Sequence, residues 1–371
     1  MHALIAIDSF KNSMTSLVAN QTVADQLAKY RITTSQVAIA DGGEGTVAAF
    51  LANHPGGQAL TVATVDLAQR PIQATYGYFE AEHLAVIEVA AASGIQFLTA
   101  GLNPSNTNTY GTGLVIKAAV AHGATRVILG LGGSGTVDGG AGILRALGVR
   151  FLDQRGQSLS MVGADLAQVA AIDTQQLLPA LRNVNFVSAA DVTNPLTGQL
   201  GATRVFGLQK GLSTERMAAY DHAMAHYMQV ATGAVSDHQA DGAAGGIGFA
   251  LRYFLHATVR SGFDLIAELS DLERLVHQAD FVISGEGQVD DQSFMGKVPI
   301  KISHLAQAAG KNCYLLVGSQ RGSAAAFATQ GVTAVLPIVD RVMTLDEALT
   351  TGPVNLARTA ERLGQLVTHP V

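Results

Sequence analysis

The chain has 371 residues, enough to bury a large core and to form two domains. Hydrophobic residues make up 48% and charged residues 14%, with a mean hydropathy of +0.26, which excludes a disordered chain. A net charge of -6 and a pI near 6.0 give no general attraction to nucleic acid or to anionic membrane, and no basic stripe offsets that.

The opening M-H-A-L-I-A-I-D-S lacks a basic leader region and meets an acid at Asp8, so it reads as a first strand over 2–7 and not as a signal peptide. No apolar run reaches the ~18 residues of a spanning helix. The cytoplasm is therefore the expected location, with no membrane partner. A helix over 16–30 follows, then a short strand over 37–40 that ends in D-G-G-E-G-T at 41–46. After a helix over 47–53 and H-P-G-G at 54–57, three alternating segments read as antiparallel strands, T-V-A-T-V, P-I-Q-A-T-Y-G-Y-F and H-L-A-V-I-E-V-A. The change of texture sets a domain boundary near residue 66.

Further on, a helix closed by Gly123 precedes a strand over 126–129 and the cluster G-L-G-G-S-G-T-V-D-G-G-A-G at 130–142. A strand over 185–189 ends near Asp191, an amphipathic helix covers 213–230, and D-G-A-A-G-G-I-G at 241–248 leads into another helix. From residue 279 the strand–loop–helix rhythm returns. A strand over 280–284 is expected to break at Gly285 into a loop carrying Glu286, Asp290, Asp291 and Lys297. Pro299 suits the first turn of a helix, 314–317 and 334–338 read as strands, and Thr344 with Glu347 forms a capping-box pattern. Cys313, the single cysteine, excludes an internal disulfide and multi-thiolate metal sites, and its apolar surroundings mark a buried structural thiol. The two ends share one texture and the middle another. The expected fold is α/β, with a parallel-sheet domain from 1–66 and 278–371 and a second α/β domain inserted over 67–277.

Two motifs point elsewhere. Gly130 to Gly135 fits G-x-G-x-x-G, with Asp153 about 20 residues on, which would suit an NAD(P)-dependent dehydrogenase. A lone match placed mid-chain is weak, and it leaves the other acidic glycine loops unexplained. His222 and His226 lie four apart on one helix without an intervening glutamate, so a polar-face pair is the simpler reading. No P-loop and no G-x-S-x-G occurs.

What remains is a set of strand-end loops rich in glycine and carboxylate. Glycine turns expose amides to phosphate oxygens, carboxylates hold a bridging cation, and lysines take developing charge, so phosphoryl transfer fits the set best. The acids are Asp41, Glu44, Asp191, Glu286 and Asp290, and the lysines Lys11, Lys210 and Lys297.

Seven collinear segments then carry a family resemblance. D-S-F-K-N-S at 8–13, A-D-G-G-E-G-T at 40–46, G-G-S-G-T-V-D-G-G-A-G at 132–142, A-D-V-T-N-P-L-T-G at 190–198, G-A-T-R-V-F-G-L-Q-K-G at 201–211, G-A-A-G-G-I-G at 242–248 and S-G-E-G-Q-V-D-D-Q-S-F-M-G-K-V-P at 284–299 resemble the type 1 glycerate kinases. The resemblance implies ATP- and Mg²⁺-dependent phosphorylation of D-glycerate to 2-phosphoglycerate, with 3-phosphorylation by the same site as the alternative. It also implies a flavodoxin-like domain beside a second α/β domain, with the site in a cleft between them. Ile7, Val137 and Leu208 depart from the family pattern, and Val137 is the one expected to tune the site.

The expected assignments are these. Asp191, Lys11 and Lys210 are catalytic; Gly132, Gly133, Ser134, Gly135, Gly139, Gly140, Gly285 and Gly287 cradle nucleotide phosphate. Asp8, Ser9, Lys297 and Arg204 hold substrate, and Glu286, Asp290, Asp41 and Glu44 hold the metal. The expected partners are D-glycerate and ATP, with a homodimer left open.

Overall fold

The computed structural model describes residues 1–235, 238–290, 293–294 and 296–369. Its strands in chain order are β1 (His2–Ile7), β2 (Thr33–Gln36), β3 (Gly57–Val65), β4 (Pro71–Phe79), β5 (Leu84–Glu88), β6 (Arg126–Gly130), β7 (Arg150–Leu152), β8 (Ala171–Asp173), β9 (Asn185–Ala189), β10 (Thr258–Arg260), β11 (Phe281–Val289), β12 (Asn312–Gln320) and β13 (Ala334–Pro337). The chain divides into two compact units. One comprises 1–40, 48–55 and 263–371, the other 41–47 and 56–262.

In the first unit five strands pair in the order β13-β12-β11-β1-β2, all parallel. Counted within the unit this is 2-1-3-4-5, the flavodoxin-like order, whose direction reverses between β1 and β11. The strand residues are apolar on both faces, as a parallel sheet covered by helices requires. Ile5, Ile7 and Ile283 pack with Val23 and Leu27 of the helix Ser16–Ala28 and with Leu356 and Leu363 of the helix Gly352–Thr368. Cys313 is fully buried in β12, and burial lifts its thiol to about 12, so it is an inert core group. Pro299 sits in the first turn of the helix Val298–Ala308, and Thr344 caps the helix Leu345–Thr350 by accepting from the amide of Glu347.

The second unit holds a six-stranded sheet in the order β10-β9-β6-β5-β4-β3. β3, β4 and β5 are antiparallel, as their alternating sequence foretells, while β5, β6, β9 and β10 run parallel. Val127, Leu129 and Ile87 meet Ile116, Ile143, Met224 and Ile247 in the core of this unit.

Four expectations need correction. The boundaries near 66 and 278 shift, because β3 hydrogen-bonds along its whole length to β4 and so joins the second unit. The helices Gly262–Leu269 and Leu272–Gln278 fall almost wholly to the first. The second strand lies at 33–36, not 37–40. Over 37–39 the backbone is met mainly by side chains instead of a strand partner. Asn20 donates to Val37 O, Asn53 bridges Ala38 N and O, and Ser16 Oγ accepts from Ile39 N. Finally β11 does not stop at residue 284. It continues to Val289 because β12 is equally long and supplies partners up to Gln320.

Candidate functional site

The candidate residues lie on two sets of loops, one in each unit. In the first unit Ile7 of β1 stands opposite Gly285 of β11, and the amide of Asp8 donates to Gly285 O at 2.9 Å. Asp8 and Glu286 thus occupy adjacent strands where the strand order reverses, the place at which open parallel sheets bind ligands. The Asp8 carboxylate accepts from the amide of Ser9 at 2.7 Å, and Lys11 is exposed on the following turn. Gly285 is buried in the sheet, and a Cβ there would fall 1.8 Å from Leu316 O. Gly285 therefore serves close strand packing, whereas a Cβ on Gly287 would meet nothing nearer than 3.9 Å.

Glu286 is a perturbed acid of this unit. Burial raises its pKa, opposed by Lys297, whose Nζ is 3.6 Å from Oε2, and by Ser293; the charge of Asp290 pushes the same way as burial. Gln288 Nε2 donates to Asp290 Oδ2 at 3.0 Å, and the Asp290 amide donates to Ser293 Oγ. Asp291, expected in this cluster, lies outside the described residues. Lys297, paired with Glu286, keeps 41% of its side chain exposed.

In the second unit the loop 41–47 packs on the ends of β6 and β9. Gly132 N donates to Gly42 O at 2.9 Å, a Cβ on Gly42 would meet Ala189 O at 2.6 Å, and one on Gly132 would meet Gly43 Cα at 2.4 Å. Only glycine allows backbones this close. Asp41 and Glu44 are exposed on that loop, and Asp41 Oδ1 accepts from the amide of Gly43. Their neighbour Glu88, at the end of β5, accepts from the amides of Val47, Gly45 and Thr46. Burial raises its pKa against those hydrogen bonds, and Glu44 adds to the rise.

The glycine loop 131–140 follows β6. Four of its expected phosphate donors are already spent: Gly132 N on Gly42 O, Gly135 N on Ser93 O, Gly139 N on Gly245 O and Gly140 N on Asp138 Oδ1. Among the described residues the amides of Gly133 and Ser134 have no protein acceptor, and Gly133 is exposed with φ +72°. These two amides are therefore available to an anion. The dinucleotide reading fails here, because the next helix, Ala141–Ala146, starts six residues after Gly135. Moreover β7, which leads into Asp153, pairs antiparallel with β8 and not parallel with β6. Asp153 only closes a turn by accepting from the amides of Arg155 and Gln157.

Asp138 was legible in V-D-G-G just ahead of a helix, yet the sequence reading missed its role. Fully buried, it accepts from Thr109 N, Thr109 Oγ1 and Gly142 N on one oxygen and from Gly140 N on the other. One carboxylate thereby caps the helices Tyr110–His122 and Ala141–Ala146 together. Burial raises its pKa and these four bonds oppose the rise. Val137 is fully buried in the core.

Lys210 is the largest departure. It is 2% exposed, and its Nζ donates to Ser134 Oγ at 2.8 Å and Thr136 O at 2.9 Å. Burial lowers its pKa to about 7, against the field of Asp138. Arg204 lies 3.7 Å from Asp221, whose carboxylate also accepts from Gly198 N, and Arg204 Nε has no hydrogen-bond partner. Asp191 is exposed two residues beyond β9. His226 Nε2 pairs with Val169 O at 2.8 Å, so the His222 and His226 pair is no metal site. Among the described residues no group of three or more metal-binding side chains occurs, and no helix is long and apolar enough to cross a membrane.

A family profile described as the glycerate kinase family matches residues 3–368. A glycerate kinase of Bacillus subtilis (strain 168) is 38% identical, over 97% of this chain and 96% of its own. A glycerate 2-kinase of Escherichia coli (strain K12) is 36% identical, over 98% and 97%. A crystal structure described as that of a glycerate kinase 2 from Salmonella typhimurium LT2 superposes with a TM-score of 0.85 at 34% identity, covering 99% of this chain and 98% of that one.

Proposed function

Because the chain belongs to the glycerate kinase family, we propose that it transfers the γ-phosphoryl group of ATP to the 2-hydroxyl of D-glycerate by in-line displacement, with Mg²⁺. The observation that carries this is the placement of the acids and of the amide cradle. Asp8 and Glu286 stand at the switch point of one parallel sheet. Gly133, Ser134 and Asp191 follow the carboxyl ends of β6 and β9 in the parallel part of the other. Such ends are where α/β enzymes keep their chemistry. The 2-position is favoured by the name of the relative from Escherichia coli.

Each group then has a task. The amides of Gly133 and Ser134 bind phosphate oxygens. Asp191 orients the glycerate hydroxyl and takes its proton, and Lys11 meets the charge of the transferred phosphoryl group. Arg204 takes the glycerate carboxylate while sharing its charge with Asp221. Mg²⁺ is commonly bound by one or two carboxylates, with phosphate and water completing the shell. Glu286 and Asp290 offer two carboxylates that raise each other's cost of ionisation, and a cation relieves that cost. When bound, the ion offsets charge on the phosphate oxygens. The proposed location is the cytoplasm, and no partner beyond the two small molecules is needed.

The test is ADP release from ATP and Mg²⁺ on adding D-glycerate, with L-glycerate and no acceptor as controls, and the product read by ³¹P NMR. D-glycerate-dependent ADP with a 2-phospho product supports the reading. A 3-phospho product overturns the regiochemistry, and no turnover overturns the activity.

A further inference from the structure

We infer that Lys210 is the positioning residue of the phosphate cradle: from beneath the loop its ammonium fixes Ser134 and Thr136, and thereby holds the amides of Gly133 and Ser134 in place for ATP. This rests on the kinase reading above but concerns nucleotide binding alone. Lys210 ends the short turn Leu208–Lys210, 76 positions from Ser134 in sequence, and is almost wholly buried. A buried lysine without a carboxylate in contact is costly unless its donors are met. Here both recorded acceptors, a hydroxyl and a backbone carbonyl, belong to one three-residue stretch of the cradle.

The bonds leave the cradle's own donors untouched. Ser134 spends its hydroxyl oxygen on Lys210, while its amide has no protein acceptor among the described residues. On the far side the loop is tied to the chain at 93–95, through Gly135 N to Ser93 O and Ile95 N to Gly133 O. The strip 133–136 is thus tied both to Lys210 and to 93–95, with the amides of Gly133 and Ser134 in reserve. Lys210 does not touch substrate at this depth, so it acts through the loop and not on the transferred group.

The experiment measures MgATP binding by titration calorimetry, and the KM for D-glycerate, in Lys210→Met and in Ser134→Ala. Loss of a hydrogen bond to a charged group corresponds to roughly tenfold or more. The expected result for folded Lys210→Met is a rise of at least about tenfold in the Kd for MgATP, with the glycerate KM changed by less than about threefold. Ser134→Ala should weaken MgATP by a smaller factor, and the double variant should lose no more than Lys210→Met alone. An unchanged Kd in folded Lys210→Met overturns the proposal, as does equal loss for both substrates. If Lys210→Met does not fold, Ser134→Ala decides by the same two criteria. Wild-type protein that binds MgATP in a Lys210-dependent way yet leaves D-glycerate untouched would sink the kinase reading and leave this one standing.

Discussion

Asp138 shows how much a single buried carboxylate can hold. Four donors converge on it from two helix starts. Asp138→Ala strands all four in the core, and a loss of about 3–5 kcal/mol in urea unfolding is expected. Asp138→Asn keeps one acceptor oxygen and should cost less, so equal losses in the two variants would contradict this account. Lys210 adds a pH dependence. Its folded-state pKa, about 7, is depressed below the unfolded value near 10.5. The unfolded chain therefore holds a proton that the folded protein has lost between those values, and stability rises with pH across that window. The unfolding midpoint of wild type relative to Lys210→Met should climb from pH 7 toward pH 10. A flat difference would show that the lysine is not desolvated as drawn.

At the scale of elements, the turn 41–47 depends on Glu88. The carboxylate of this strand-end residue accepts from the first amides of the helix Thr46–Asn53 and so acts as its cap from a distance. Glu88→Ala should cost about 1 kcal/mol by loss of a cap. Burial raises the Glu88 pKa above its unfolded value, so its contribution is fully present at low pH and is lost as pH rises through the raised pKa. Glu88→Gln should remove that fall; parallel stability curves for the two proteins, or a wild type that gains on the variant as pH rises, would contradict this account. The extension of β11 also belongs to this scale. Gly285 looked like a loop residue because glycine usually punctuates strands, yet here its lack of a side chain lets β11 and β12 stay paired.

At the scale of the molecule, activity should vanish with a chelator and return with excess Mg²⁺. MgATP at a hundredfold over its Kd should stabilise the protein by about 2.7 kcal/mol, read as a shift in thermal unfolding. An unshifted transition at saturating MgATP would speak against nucleotide binding.

The α/β class, the antiparallel start of the middle region, the helix starts at Thr344 and Pro299, the buried thiol of Cys313 and, through seven collinear segments, the family could all be read from the order of residues. These are legible because periodicity, turn residues and motif order are local properties of the chain. Only the tertiary structure decided that β3 joins the second unit, that 37–40 leaves the sheet, and that Glu286 claims Lys297. It also decided that four glycine amides are spent inside the fold while two remain, and that Lys210 lies beneath the loop. Residue type and spacing tell which groups a loop carries. Which of them are already hydrogen-bonded or buried depends on partners dozens to hundreds of residues away, and that pairing exists only once the chain has folded.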